Sequence, residues 1–307
     1  MASVVRQGTR REVELGMLLM TIAMLLFPAS DALAKFLTAT LTPVQIAAAR
    51  FLLQSLLLLP VLLIYKRGRL PPAPGARHLA LGALIALAVI FLFSGLHYLP
   101  IANNTALFFI EPLLLTLISA LALRETVSPR QWMAVLIGLV GALIVLRPNW
   151  TAYGPAAIFP VAAGAFFAGF LALTRVVGGR DDALTLAFWT GMAATLVLAP
   201  IMGLDLLIEG RPIRLPSLPA PGVWPLLLGV GAIAAATNVL TALALRRADA
   251  GVLAPFQYLE ILSATLWGWL IFSEIPDLLT GIGAAIIVGS GLYVFTHPGQ
   301  PADPRSG

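Results

Sequence analysis

Residues 100–125 read PIANNTALFFIEPLLLTLISALALRE, and the fold turns on that stretch. Between Ile101 and Leu123 there is one charge, Glu111, inside a run of membrane-crossing length. A hydrocarbon core about 30 Å thick asks for about 20 helical residues. A carboxyl at that depth is costly and faces a partner, a cavity or a substrate rather than lipid. Pro112 follows it, and a proline has no amide hydrogen, so backbone hydrogen bonding loosens one turn earlier. The run ends at Arg124-Glu125. The pattern then recurs: an offset of 149 carries Glu111 onto Glu260 and Glu125 onto Glu274. Near an offset of 140, Lys35 falls on Arg175.

The rest of the chain has the same character. Of 307 residues, 59% are hydrophobic and 11% charged, with a mean hydropathy of +0.94. Soluble domains carry about 25% charged residues, so this chain is expected to have lipid as its solvent. The 27 glycines and 23 prolines fit membrane helices. The net charge of +5 lies in short gaps between apolar runs, a topology signal rather than a nucleic-acid surface. The absence of cysteine excludes disulfides, thiolate catalysis and cysteine metal sites.

Ten spans are expected, at 14–37, 43–65, 77–98, 101–123, 130–147, 153–175, 183–205, 222–245, 250–272 and 277–296. Arg6, Arg10 and Arg11 before Leu15–Phe27, with Ala32-Leu33-Ala34 beyond, imitate a secretory leader. The apolar character running on to Leu41, and the repeat, make this the first span instead. With the N-terminus inside, every Lys and Arg except Lys35, Arg147, Arg211, Arg214 and the mid-span Arg50 falls on the inner side. That asymmetry puts both termini in the cytoplasm. The fold class is therefore all-α integral membrane, with ten transmembrane helices as two inverted five-helix repeats, residues 1–147 and 148–307.

On these residues the chain resembles the EamA-type ten-helix transporters of the drug/metabolite transporter superfamily. The resemblance spans about 12–297. It is carried by Pro100-Ile101-Ala102 through Glu111-Pro112 to Leu123-Arg124-Glu125-Thr126-Val127-Ser128, and by Gly138 and Gly141 after them. In the second half it is carried by Ala248-Asp249-Ala250-Gly251, Pro255, Glu260, Ser273-Glu274-Ile275-Pro276 and Gly281, Gly283, Gly289 and Gly291. Asp31 with Lys35, and Arg50-Phe51, also match. The resemblance implies two inverted repeats around a central cavity and carriage of small organic solutes, commonly amino acids, often outward. Glu260-Ile261 departs from Glu111-Pro112, so the two helices need not break alike.

The candidate substrate-binding residues are Glu111, Glu260, Arg50, Asp31, Phe109, Tyr258, Asn104 and Trp189. Glu111 and Glu260 suit a substrate ammonium or a proton, or else structural hydrogen bonds. Arg50 offers a planar donor fork to a substrate carboxylate, or equally to Asp31 or Glu111. Asp31 and Lys35, four apart on one helix, read best as a structural pair. Phe109 and Tyr258, superimposed by the offset, would contact the substrate body. Asn103, Asn104 and Thr105 either donate to a ligand or bond between helices. Trp189 lines a cavity or packs against lipid. The glycines of the fifth and tenth spans read as scaffold or as a dimer contact.

Three functions compete. The first is secondary transport by alternating access. The second is a flippase or channel, for which Arg50 alone is thin support. The third is a membrane-embedded enzyme, disfavoured because His78, His97 and His297 lack metal spacing and no nucleophile elbow occurs. No cofactor and no phosphate loop are called for. The partners expected are a small-molecule substrate, the bilayer and, in a coupled antiport, protons. Nucleic acid is excluded, and the chain would work as a monomer or a homodimer in the plasma (bacterial inner) membrane.

Overall fold

The computed structural model describes residues 10–69, 75–121, 129–177, 181–208, 222–248 and 250–296. It is helical, with no strand among the described residues. The helices are α1 (Arg10–Leu37), α2 (Pro43–Tyr65), α3 (Ala76–Tyr98), α4 (Ile101–Phe108), α5 (Glu111–Leu121) and α6 (Pro129–Tyr153). After a 3-10 turn at Gly154–Ala157 come α7 (Ile158–Val177), α8 (Ala183–Ile208), α9 (Val223–Leu245), α10 (Ala250–Gln257), α11 (Leu259–Phe272) and α12 (Leu278–Thr296). Arg124, Glu125, Arg180, Arg211 and Arg214 lie outside the described residues, so one anchor of the repeat does too.

Local chemistry sets the ends. Thr42 caps α2: its hydroxyl accepts from the Gln45 amide, and the Gln45 side chain accepts from the Thr42 amide. Pro43 at the first helical position supplies a helix-ready φ where no amide partner is needed. α6 runs on to Tyr153 and stops at Gly154, whose φ of +60° no longer continues a helix. α11 ends with Ser273 in the left-handed region (φ 56°, ψ 29°). The amides of Ser273 and Glu274 close back onto the carbonyls of Trp269 and Gly268.

Seven segments are long and apolar enough to cross a membrane, counting α4 and α5 as one, Ile101–Leu121. Val135–Val145, Leu259–Phe272 and Leu278–Ser290 are shorter apolar helices. Two spans read as continuous are broken. α4 and α5 are separated by a turn at Phe109–Ile110, and α10 and α11 by the single residue Tyr258. The breaks fall alike, although Ile261 stands where Pro112 does. Both half-helices restart with a short bond, Leu113 amide to Ile110 carbonyl (3.1 Å) and Ile261 amide to Tyr258 carbonyl (3.2 Å). In the second case the amide-free residue is Pro255, ahead of the break.

Between lipid-facing helices there is no hydrophobic drive, so close fit decides the packing. α1 packs on α9, α3 on α7 and α8, and α2 on α8 and α9. α6 packs on α12, α5 on α7, and α11 on α1 and α4. The main core joins Leu37, Ile46, Phe51, Phe93, Leu198 and Val230. A second joins Leu107, Leu113, Val135, Val145 and Ile287. The glycine scaffold is visible where α6 crosses α12: a Cβ on Gly283 would lie 2.7 Å from the Gly141 carbonyl oxygen, and one on Gly141 3.0 Å from that of Gly283. Large apolar side chains such as Leu56, Ile64, Leu143, Leu196, Leu262 and Leu278 face outward, as a lipid environment permits.

Candidate functional site

The two breaks put Glu111 and Glu260 in the first turns of half-helices α5 and α11. A helix start leaves its first amides short of intrahelical partners, and the helix dipole favours a negative group there. A continuous helix would leave the same carboxyls facing satisfied backbone. Gly164 of α7 lies against the first break: a Cβ added to it would stand 2.7 Å from the Phe108 carbonyl oxygen and 3.5 Å from the Glu111 amide nitrogen. Phe109 and Tyr258, the residues at the breaks, meet with ring centroids 5.6 Å apart.

Asp31 from α1 and Arg50 from α2 complete the group. Both are buried, at 3% and 8% exposure. The carboxylates whose fields reach Arg50 are Asp31 and Glu260, and Glu260 also senses Asp31 and Glu111. Glu111 in turn acts on Tyr258. Glu260 keeps partial accessible surface. Arg50 makes no hydrogen bond or ion pair with any described residue, and its Nε is buried without a partner. Its guanidinium lies instead among the rings of Phe27, Phe51 and Phe93, at 5.6, 5.5 and 5.8 Å from their centroids. Sequence gave no cue for Phe27 or Phe93, because a phenylalanine in a membrane helix is ordinarily core or lipid surface.

The remaining two candidates stand apart. Asn104 is fully buried and fastens α4 to α3, its Nδ2 donating to the Leu92 carbonyl at 3.2 Å while its Oδ1 packs against Gly95. Trp189 sits edge-on to Phe188 at 4.9 Å, in an apolar cluster with Leu58, Leu62 and Ala235. Its indole Nε1 is buried with no partner among the described residues.

Lys35 does not pair with Asp31. Its Nζ reaches past the end of α1 to the Glu274 carboxylate and to the Leu99 carbonyl oxygen at 2.8 Å. Glu274 Oε2 accepts from the Ile101 amide at 3.1 Å. One clasp thus ties the end of α1 to the α3–α4 and α11–α12 links. Lys35 chooses Glu274 because it lies at the helix end, where the Leu99 carbonyl oxygen is a second acceptor in reach. At the opposite end, Arg77 donates to Asp181 at 2.9 Å, and His78 Nε2 lies 3.2 Å from the same carboxylate. Lys66 pairs with Asp182, which also receives the Thr185 amide at 3.1 Å. Burial pushes the Asp182 carboxyl up, but hydrogen bonds from Lys66 and Thr185 outweigh it and hold it below the ordinary range. The hydrogen bond to Asp182 holds Lys66 above its ordinary value.

The model of the EamA-like transporter family matches residues 14–147 and again 154–296. The chain belongs to that family. This EamA-like transporter is 29% identical over 275 residues to the pseudopaline exporter of Pseudomonas aeruginosa, covering 89% of this chain and 93% of that one. It is 25% identical over 266 residues to the S-adenosylmethionine uptake transporter of Rickettsia bellii, covering 87% and 88%. It is 27% identical over 251 residues to the riboflavin transporter of Brucella anthropi, covering 82% and 87%. A crystal structure matches in fold with a TM-score of 0.62 at 20% identity, over 92% of this chain and 98% of its own. The EamA-like chain is accordingly a multi-pass membrane transporter, in bacteria of the inner membrane, and not an enzyme.

Proposed function

We propose that this EamA-like protein is a secondary transporter that exports small organic metabolites such as amino acids by alternating access. The observation that carries the reading is Arg50: a buried guanidinium with no ion pair or hydrogen bond among the described residues, within the fields of Asp31 and Glu260. A buried charge left without a partner is costly, and a cargo carboxylate supplies the missing one. Glu111 and Glu260 hold the cargo ammonium, and Phe109 and Tyr258 contact its side chain. Asp31 balances Arg50 when the site is empty. Asn104 and Trp189 shape the surrounding helices rather than touch the cargo. Alternating access needs no cofactor; protons drive it or the carrier is a uniporter, and it acts as a monomer or a homodimer.

The architecture proposed with it is ten spans in two inverted halves, 1–147 and 148–307, both termini cytoplasmic. Seven long and three shorter apolar helices support that number. So does the packing: exchanging the halves turns α1 on α9 into α7 on α3, and α11 on α1 into α5 on α7. The family model's two matched stretches divide the chain at the same place. The relatives bear on the cargo only as a range, since their names cover pseudopaline, S-adenosylmethionine and riboflavin.

The test is counterflow in proteoliposomes with a panel of labelled amino acids. Saturable exchange of a panel member, lost in the Glu111→Gln, Glu260→Gln double variant, is the expected result. Intact exchange by the folded double variant would remove the electrostatic core of the reading.

A further inference from the structure

The central charges do not balance. Around the site α1 contributes Asp31, α2 Arg50, α5 Glu111, and the α10–α11 break Tyr258 and Glu260. α7 contributes Arg175, which acts on Glu111 from the helix end, is itself exposed, and donates to Ser119 Oγ at 3.3 Å. The other helices packed there, α3, α4 and α9, carry no charged side chain away from their ends. The other cation of α1 toward this end, Lys35, is committed to Glu274. Three carboxyls therefore share one internal guanidinium, and that guanidinium forms no ion pair with any of them. Arg50 offsets one negative charge. Two remain at membrane depth, to be met by protons or by cations from the cargo.

From this inventory we infer that the site takes an amino-acid-like solute with one carboxylate and more than one cationic nitrogen, exchanged for as many protons as the solute has net positive charges. The inference rests on the reading above that Arg50, Glu111 and Glu260 hold the cargo. The charge count closes. In the empty site Arg50 is cationic, one carboxyl is ionised and two hold protons, so the net charge is zero. A solute of net charge +1 brings its carboxylate to Arg50 and its two cations to the acids. One proton leaves, two carboxyls are ionised, one stays protonated, and the net charge is again zero. The ends of the site suit the two cations. Glu260 lies within reach of Arg50, so an α-ammonium meets it while the α-carboxylate meets the guanidinium. Glu111 acts on Tyr258, whose ring meets that of Phe109 at 5.6 Å, and a side-chain cation there gains the carboxyl and the ring faces together. A neutral zwitterion leaves Glu111 protonated and moves no proton.

The experiment is proteoliposome transport of lysine and of leucine, with the membrane potential clamped by potassium and valinomycin and a pH gradient imposed or absent. Lysine is expected to accumulate against its gradient when the pH gradient is present, with one proton moved per lysine and no dependence on the clamped potential. Leucine is expected to exchange without pH coupling. Glu111→Gln is expected to lower the lysine-to-leucine rate ratio about tenfold, which corresponds to about 1.4 kcal/mol. Lysine moved no faster than leucine, lysine transport that carries current, or an unchanged ratio in Glu111→Gln each overturns the inference while leaving a carrier in place. No exchange of any amino acid, with folded protein present, overturns both it and the amino-acid reading.

Discussion

At the scale of single residues, the decisive feature is a guanidinium held by faces rather than by charges. Three ring centroids within 6 Å of Arg50 supply cation–π attraction that a planar, weakly hydrated guanidinium exploits better than an ammonium does. Arg50→Lys keeps the charge and loses both the stacking and the fork. It is expected to slow cargo exchange at least about tenfold, a difference of about 1.4 kcal/mol, read as initial rate in proteoliposomes at matched protein density. The sequence made Arg50, Asp31, Glu111 and Glu260 legible because a charge within a span is conspicuous. It left the cage dark, since phenylalanine has no distinguishing signal in lipid, and it mispaired Lys35, because a partner in the adjacent turn is visible in sequence and one in a distant link is not.

Helices carry a different lesson, that of the break. A span with a carboxyl and a following proline announces an interruption, and α4–α5 has one; α10–α11 breaks at the corresponding place with its proline ahead of the glutamate. Proline placement is therefore a loose guide to where the backbone lets go, whereas the glutamate marks the restart in both halves. The approach of α7 to the first break is what Gly164 permits. Gly164→Ala would drive a methyl group against the Phe108 carbonyl oxygen, a contact of 2.7 Å if nothing moved. The expected cost is about 1–3 kcal/mol, seen as a lower thermal midpoint in detergent, with cargo exchange reduced because Glu111 shifts with the start of α5.

For the whole molecule, composition made the membrane class plain. Which helix packs on which was not readable, since every lipid-facing run is apolar and contact depends on small residues such as Gly141 and Gly283. Nor were Asp181 and Asp182, which look like ordinary link residues yet tie α2 and α3 to the start of α8. Both partners of the Lys66–Asp182 pair are about one-third exposed (34% and 32%), so solvent screens it. Asp182→Asn is expected to cost only about 0–1 kcal/mol at neutral pH. The sign with pH follows from the shifts. Asp182 lies below its ordinary 3.8, so its contribution is present above that value and lost as pH falls through the lower folded one. Lys66 lies above its ordinary 10.5, so its contribution is present below that value and lost as pH rises through the higher folded one. The stability gap between wild type and variant should thus be flat from about pH 4 to 10 and close at either extreme, as urea titrations in detergent would register.

The clasp between Lys35 and Glu274 also sets a schedule. Its partners are 239 residues apart. At about 5–20 residues per second of synthesis, roughly 10–50 s separate the two side chains at the ribosome. Through that interval the first span stands in the bilayer with its lysine waiting, and the end of the bundle that the clasp secures is assembled only when nearly the whole chain has been made.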